Sequence, residues 1–433
     1  MMANRSLSTE ELSKPRTRRD VLKLGGSLAA STFAVPTILS ACDTKNATPK
    51  TLQVYWNTGH MFDAYASVTQ QFEKDHPGWK VNVEPYQWTD MRAKILANFA
   101  AKKVPDLVEE PGGWVQEFGL AGNILSLQSY LHASGKQMGF PNDWQANTVT
   151  RNSINGQVYG IQLHLTCVLL FYNKDLLAKA GIKQPPTTWS EFLAAAQELT
   201  HDNVYGCGVN ANVWPWLMQN GVQYYDPANN VVPMTTPETY EALQFQADLV
   251  HKYKVSPTPT SLTDASTTQP LFSAQRVAMF LTGPWDIKPI LTSSPNLHWD
   301  IAQALTKKVQ ATSTAGTSLF IPKGAKNPEM AWELLQRYVA LDTEIAVSKE
   351  ARMPMPRKSW AASPQIQALN RIAPFAQGLS YAQSSSGELD RTGHSGAIGT
   401  LFTNAFEDII YRSRPVPETM QQFVASANKL LKK

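Results

Sequence analysis

The strongest constraint on the fold lies in residues 51–110, where strand-like and helix-like patterns alternate at short spacing. Leu52, Val54 and Trp56 alternate with Thr51, Gln53 and Tyr55, the period of a half-buried strand. The loop Asn57-Thr58-Gly59-His60 follows. Phe62, Tyr65, Val68 and Phe72 then recur at helical spacing, and Pro77-Gly78 stops that helix. Val81-Asn82-Val83 predicts a second strand, residues 91–101 a second helix, and Asp106-Leu107-Val108-Glu109-Glu110 a third strand. A βαβαβ order with short crossovers implies a parallel sheet. Ligands bind beyond the carboxyl ends of such strands, which are here the loops 57–60 and 110–114.

The same grammar returns further on. Residues 168–172 are a near-continuous apolar run suited to a buried strand. Thr188-Trp189-Ser190-Glu191 is a capping box, with Phe192, Leu193, Ala196 and Leu199 as the buried stripe of its helix. Thr236-Pro237 and Asn327-Pro328 open further helices with proline at the first position. The second of these carries Ala331, Leu334, Leu335, Tyr338 and Val339 on one face. The Ser-, Thr- and Pro-rich stretch 256–269 reads as a surface connection.

The N-terminus has a different character. Thr17-Arg18-Arg19-Asp20-Val21-Leu22-Lys23 resembles a twin-arginine export motif, and Leu39-Ser40-Ala41-Cys42 resembles a bacterial lipobox. The apolar run between them is diluted by Gly25, Gly26 and Pro36, too weakly apolar for a spanning helix. Residues 1–41 are therefore expected to be a cleaved signal, Cys42 the lipidated first residue, and 42–50 a polar tether. The expected location is the outer face of the cytoplasmic membrane, reached through a lipid anchor only.

Roughly 390 residues follow the signal, more than the roughly 250 to 300 that one core sustains, so two lobes are expected. The chain carries a net charge of +4, most of it in the signal, so no nucleic-acid partner is implied. Cys167 and Cys207 remain after processing. They read either as a disulfide, which an exported chain permits, or as two small buried thiols.

Tryptophans cluster in Gly- or Pro-marked loops: Gly112-Gly113-Trp114, Trp214-Pro215-Trp216 and Gly283-Pro284-Trp285-Asp286. Indole plates beside carboxylates and amides suit a ligand with C–H faces and hydroxyl edges, which is the form of a sugar. Glu109 and Glu110 point to opposite faces of a strand, so they cannot flank one glycosidic bond. The histidines show no close ligand spacing, so neither a metal nor any other cofactor is expected. No nucleophile elbow or phosphate loop is present.

"NGQVYGIQ", "LLFYNKDLLAKAGIKQPPTTWSEFLAAAQEL" and "LFSAQRVAMFLTGPWDI" closely resemble extracellular solute-binding proteins of family 1, of which maltose-binding protein is the best-known member. "AGNILSLQSYL", "LFIPKGAKNPEMAWELLQRYV" and "ARMPMPR" match in the same order. The resemblance implies an α/β, two-lobed periplasmic-binding-protein fold of type II, each lobe a βα sheet sandwich, with hinge strands between lobes. It implies lobe 1 from 51–163 and 283–340, lobe 2 from 164–282 and 341–433, and crossings near 162–166 and Gly283. The implied ligand residues are Asn57, His60, Glu110, Trp114, His164, Trp214, Trp285, Asp286 and Arg352. Residues 392–399 depart from maltose-binding protein, with Gly393-His394-Ser395-Gly396 in place of an aromatic plate.

The expected function is a non-enzymatic, monomeric receptor that hands a carbohydrate to an ABC-transporter permease. Two alternatives stand beside it: a receptor for a polar non-sugar such as glycerol 3-phosphate, and an extracellular glycan-cleaving enzyme.

Overall fold

The structure, a computed structural model, describes residues 50–432. The expected signal, Cys42 and all of the tether but Lys50 lie outside them. β1 (Lys50–Asn57) pairs in parallel with β2 (Trp79–Tyr86), from Lys50 opposite Trp79 to Asn57 opposite Tyr86. On its other side it pairs in parallel with β3 (Leu107–Glu110). The helix Asp63–Asp75 buries Tyr65 and Phe72, and the helix Trp88–Ala101 buries Met91 and Ile95. The first helix ends just before Pro77, which has no N–H to continue it. The predicted βαβαβ unit is therefore present.

The later strands are short. β4 (Ser153–Ile154) and β5 (Gln157–Val158) form a hairpin whose turn residues Asn155 and Gly156 both have positive φ. Then come β6 (Ile161–Gln162), β7 (Thr166–Cys167), β8 (Leu169–Asn173), β9 (Met279–Thr282), β10 (Trp299–Ala302), β11 (Thr312–Ala315), β12 (Ser318–Phe320) and β13 (Ala382–Gln383). They build a first sheet of order β2-β1-β3-β12-β6, a second of order β10-β8-β9, and a small third of order β13-β11-β7. The apolar run at 168–172 becomes β8, buried as expected, but its ladders to β9 and β10 are both antiparallel.

The core divides in the same way. Leu52, Val54, Trp56, Phe72, Leu319, Leu334, Leu335 and Tyr338 pack about the first sheet. The helices Trp189–Leu199, Pro237–His251, Ser395–Arg412 and Val416–Leu431 pack about the second, where Phe171, Phe280 and Trp299 close its other face. The predicted capping box is formed, with Thr188 accepting from the Glu191 N–H and Glu191 accepting from the Thr188 N–H. Cys167 and Cys207 are buried in different clusters as free thiols, which removes the disulfide alternative. Burial pushes the Cys167 thiol up to about 12.

The chain passes between the two bodies at 163–165, between β6 of the first sheet and β7 of the third. The second passage is not at Gly283, because β9 and β10 on either side of it belong to the same sheet. It lies at Gly316 and Thr317, between β11 and β12. Residues 299–302 therefore run with the second sheet. The helix Leu341–Ala351, expected in lobe 2, packs Ile345, Val347 and Ala351 into the first core. The return comes between Ile372 and Phe375, which belong to different clusters.

The two passages hold each other. Leu163 and His164 donate their N–H groups to the Thr317 carbonyl at 2.7 and 3.2 Å, and the Thr317 N–H donates to the His164 carbonyl at 3.2 Å. Gly316 sits at φ 149°, and a Cβ there would lie 2.2 Å from the His164 carbonyl oxygen. Gly316→Ala is expected to destabilise the protein by about 3 kcal/mol through left-handed strain and backbone overlap. Urea unfolding checks this, and a loss under about 0.5 kcal/mol would contradict the tight crossing.

Candidate functional site

A cavity of about 590 Å³ lies between the two bodies, inside the roughly 300–1,000 Å³ range of small-molecule sites. One wall comes from loops at the carboxyl ends of the parallel strands: residues 57–62 after β1, Gln87 and Trp88 after β2, and Pro111 after β3. The facing wall is Asn212, the loop 263–266, Trp285 and Lys288. The passages between the sheets supply His164, Thr166, Ala315, Gly316 and Thr317.

The β1 loop is fixed by its own chemistry. The Asn57 side chain accepts from the Gly59 N–H at 2.8 Å and starts a single helical turn that brings His60 back over the sheet. The Trp56 indole donates to the His60 carbonyl at 2.9 Å. Beneath the loop lies Glu109, which is fully buried. One of its oxygens accepts the Asn57 N–H at 2.9 Å, and the other is 2.6 Å from His60 Nδ1. His164 lies beside them, its ring centre 4.7 Å from that of His60. Its Nε2 meets the Tyr65 hydroxyl at 2.7 Å and its Nδ1 the Thr317 hydroxyl at 2.9 Å. Burial, with His60 adding to it, holds His164 well below the usual histidine value, so it is neutral.

Donor atoms of His60, Glu109 and His164 fall within 4.8 Å of one another, although no ligand spacing in the sequence announces them. The ring nitrogens at the centre of this group already have protein partners. The group is a hydrogen-bonded network at the base of the cavity.

On the facing wall, the Trp285 indole lies over its own Gly283, where a Cβ would fall 2.2 Å from the ring. The glycine is needed for this close approach. Trp285 packs against both the first and the second core, and its indole N–H has no protein partner. Asp286 lies in the wall but is sealed from solvent. It accepts from the Thr282 hydroxyl at 2.6 Å, and burial pushes its carboxyl up to about 7 against that bond and the Ser266 hydroxyl.

Among the described residues lining the cavity, Lys288 is the only Lys or Arg. It pairs with Glu350 and lies 3.8 Å from Asp63. Glu350 in turn accepts the N–H groups of Asp63 and Ala64, which fixes the start of the helix Asp63–Asp75.

Asn57, His60, His164, Trp285 and Asp286 are thus brought to the cavity, and four expected residues are placed elsewhere. Glu110 turns away from Glu109 and accepts the N–H groups of Gly112 and Trp114 at 2.7 and 3.0 Å, anchoring the helix Trp114–Leu120. Burial pushes its carboxyl up to about 7. Trp114 is buried against Phe118 and stands edge-on behind Trp88, the indole that does line the cavity. Trp214 packs between Tyr224 and Phe402 and lines a separate cleft of about 210 Å³. Arg352 ends the helix Leu341–Ala351 at φ 58° and donates to the Lys349 carbonyl, leaving its neighbour Met353 to face the cavity.

Residues 67–374 match the family profile of bacterial extracellular solute-binding protein. The chain belongs to that family. This solute-binding protein is 26% identical over 293 residues to a putative binding protein of Brucella abortus, covering 64% of this chain and 68% of that one. It is 21% identical over 316 residues to the arabinooligosaccharide-binding protein of Bacillus subtilis, covering 69% and 72%. Its fold is similar to that of an ABC-transporter solute-binding protein of Thermotoga lettingae bound with α-D-tagatose, at TM-score 0.79 and 24% identity, covering 88% and 100%. It is also similar to UgpB of Mycobacterium tuberculosis in complex with glycerophosphocholine, at TM-score 0.75 and 18% identity, covering 89% and 98%. The fold is the two-lobed type II periplasmic-binding-protein fold. The family is one of binding proteins, and this member is a binding protein, not an enzyme.

Several cavity residues of this solute-binding protein escaped sequence reasoning. The loop 263–266 was expected as a surface connection, because polar residues lining a wet cavity look like polar residues facing solvent. Tyr65 was expected only as core, yet its hydroxyl holds His164. Strand alternation separated Glu109 from Glu110 but did not say which of them faces the β1 loop.

Asp286 offers a test with a defined sign. Between the ordinary Asp value and about 7, the folded chain keeps a proton that the unfolded chain has released, so stability falls as pH rises through that window. Asp286→Asn removes this term. The ligand-free variant is expected to gain about 4 kcal/mol relative to wild type between pH 4 and pH 8. Urea unfolding at both values checks it, and a difference independent of pH would contradict the desolvated carboxyl.

Proposed function

We propose that this protein captures a neutral carbohydrate in the inter-lobe cavity and presents it to the permease of an ABC importer. The observation that carries the reading is the makeup of the walls. Trp88 and Trp285 offer indole surface, Asn57, Asn212 and Thr317 offer polar edges, and the lining lysine is already paired with Glu350. Indole faces suit the C–H faces of a sugar, and amides and hydroxyls suit its rim. A phosphate ligand such as glycerol 3-phosphate calls for free cations or aligned N–H groups. Asp264 adds an acidic group instead. The names of the arabinooligosaccharide-binding and tagatose-bound relatives agree with a sugar.

Capture requires the ligand to bind the closed arrangement better than the open one. The passages at 163–165 and 316–317 are the hinge of that motion. An affinity around micromolar, near −8 kcal/mol, suits capture followed by release. The chain is exported through its twin-arginine signal and held at the membrane by lipid on Cys42, and it acts as a monomer. Among the described residues no helix is long and apolar enough to cross a membrane.

A thermal-shift screen of tagatose, maltose, maltotriose, arabinotriose and sn-glycerol 3-phosphate tests the reading. A ligand at 100 times its Kd stabilises by about 2.7 kcal/mol. Trp285→Ala is expected to weaken the sugar that binds by about 2 to 4 kcal/mol, as for interface hot spots, with a smaller change in ligand-free stability. Affinity kept alongside a large loss of ligand-free stability would make Trp285 a packing residue. Cys42→Ser is expected to move the protein from the detergent phase to the aqueous phase on partitioning. Wild-type protein in the aqueous phase, from cells with intact lipoprotein processing, would rule lipidation out.

A further inference from the structure

We propose that Glu109 is a positioning residue for ligand binding, fixing the His60 imidazole in the Nδ1–H tautomer so that bare Nε2 accepts a hydrogen bond from a ligand hydroxyl. This rests on the carbohydrate reading only for the identity of the ligand. The geometry of the pair stands without it.

Glu109 sits on β3, between β1 and β12, and cannot shift without breaking the first sheet. An ionised carboxylate only accepts hydrogen bonds. The Asn57 N–H occupies one oxygen, and the other, 2.6 Å from His60 Nδ1, calls for the proton on that nitrogen. The ring cannot swing away, since Phe62, Trp88 and His164 surround it at centroid distances of 5.9, 6.0 and 4.7 Å. His60 Nε2 has no protein partner among the described residues, and His60 lines the cavity. A neutral imidazole has one donor and one acceptor nitrogen, and the donor is already committed.

A ligand hydroxyl donates to bare Nε2, whereas a phosphate oxygen in its ionised form only accepts. Glu109 thereby biases the cavity toward polyhydroxylated ligands.

Long-range ¹H–¹⁵N correlation spectra of the histidine rings in ligand-free protein near pH 7.5 test the proposal. The expected result is His60 protonated at Nδ1 and bare at Nε2. Glu109→Ala is expected to shift His60 toward the Nε2–H form that free histidine prefers. Glu109→Gln has one acceptor oxygen for two donors; with that oxygen on the Asn57 N–H, its amide donates to Nδ1, and His60 is expected to shift to the Nε2–H form here as well. The wild-type spectrum decides the matter even if both variants misfold. An Nε2–H tautomer or a doubly protonated ring in wild type would overturn it, as would an unchanged tautomer in folded Glu109→Ala. Glu109→Ala is also expected to weaken a sugar that binds wild type about tenfold. If no sugar in the panel binds, the carbohydrate reading fails while the tautomer result stands or falls by itself.

Discussion

The backbone pairing of His164 with Thr317 is the constraint on which the rest of the molecule depends. It joins two of the passages between the lobes, 163–165 and 316–317, at one point. Gly316 makes the approach possible, since a side chain there would overlap the His164 carbonyl. Through its ring, His164 then reaches the Tyr65 hydroxyl on the first helix and lies against His60 on the cavity wall. The hinge, the first core and the ligand-facing loop are thus in contact through a single buried imidazole. A change at the cavity wall therefore has a physical route to the passages between the lobes with no long relay.

The distribution of charge follows from the same economy of space. Glu109 and Glu110 enter the interior where backbone N–H groups or a histidine donate to them, because an unpaired buried charge is costly. Lys288, which would otherwise dominate the field of the cavity, is drawn to Glu350. The remaining walls offer indole, amide and hydroxyl surface, the makeup of a site for neutral polar ligands.

How much of this was legible in the sequence depends on the range of the interaction that decides it. The βαβαβ unit was readable because Leu52, Val54 and Trp56 set a period of two and the following helix sets its own, both within a few residues. The capping box at Thr188 was readable for the same reason. The second passage was not. Gly283-Pro284 looks like a break, yet it is a turn beneath the Trp285 ring, and the true passage is fixed by contact with His164 far along the chain. Trp114 and Trp214 show the corresponding limit for the site. Loop indoles next to glycine or proline face either a ligand or a neighbouring aromatic, and here Phe118 and Phe402 receive them. His60 and His164 were placed by position along the chain. The chemistry between them required Glu109, whose orientation depends on the strand pairing of β3.

The central claim is that the cavity between the lobes holds a neutral sugar rather than an anion. Isothermal titration calorimetry of the chain from residue 50 onward, with the sugars of the panel and with sn-glycerol 3-phosphate, tests it most directly. The expected result is one-to-one binding of at least one sugar at around micromolar affinity, with no heat from glycerol 3-phosphate. Saturable one-to-one binding of glycerol 3-phosphate, with no response to any sugar, would contradict the account.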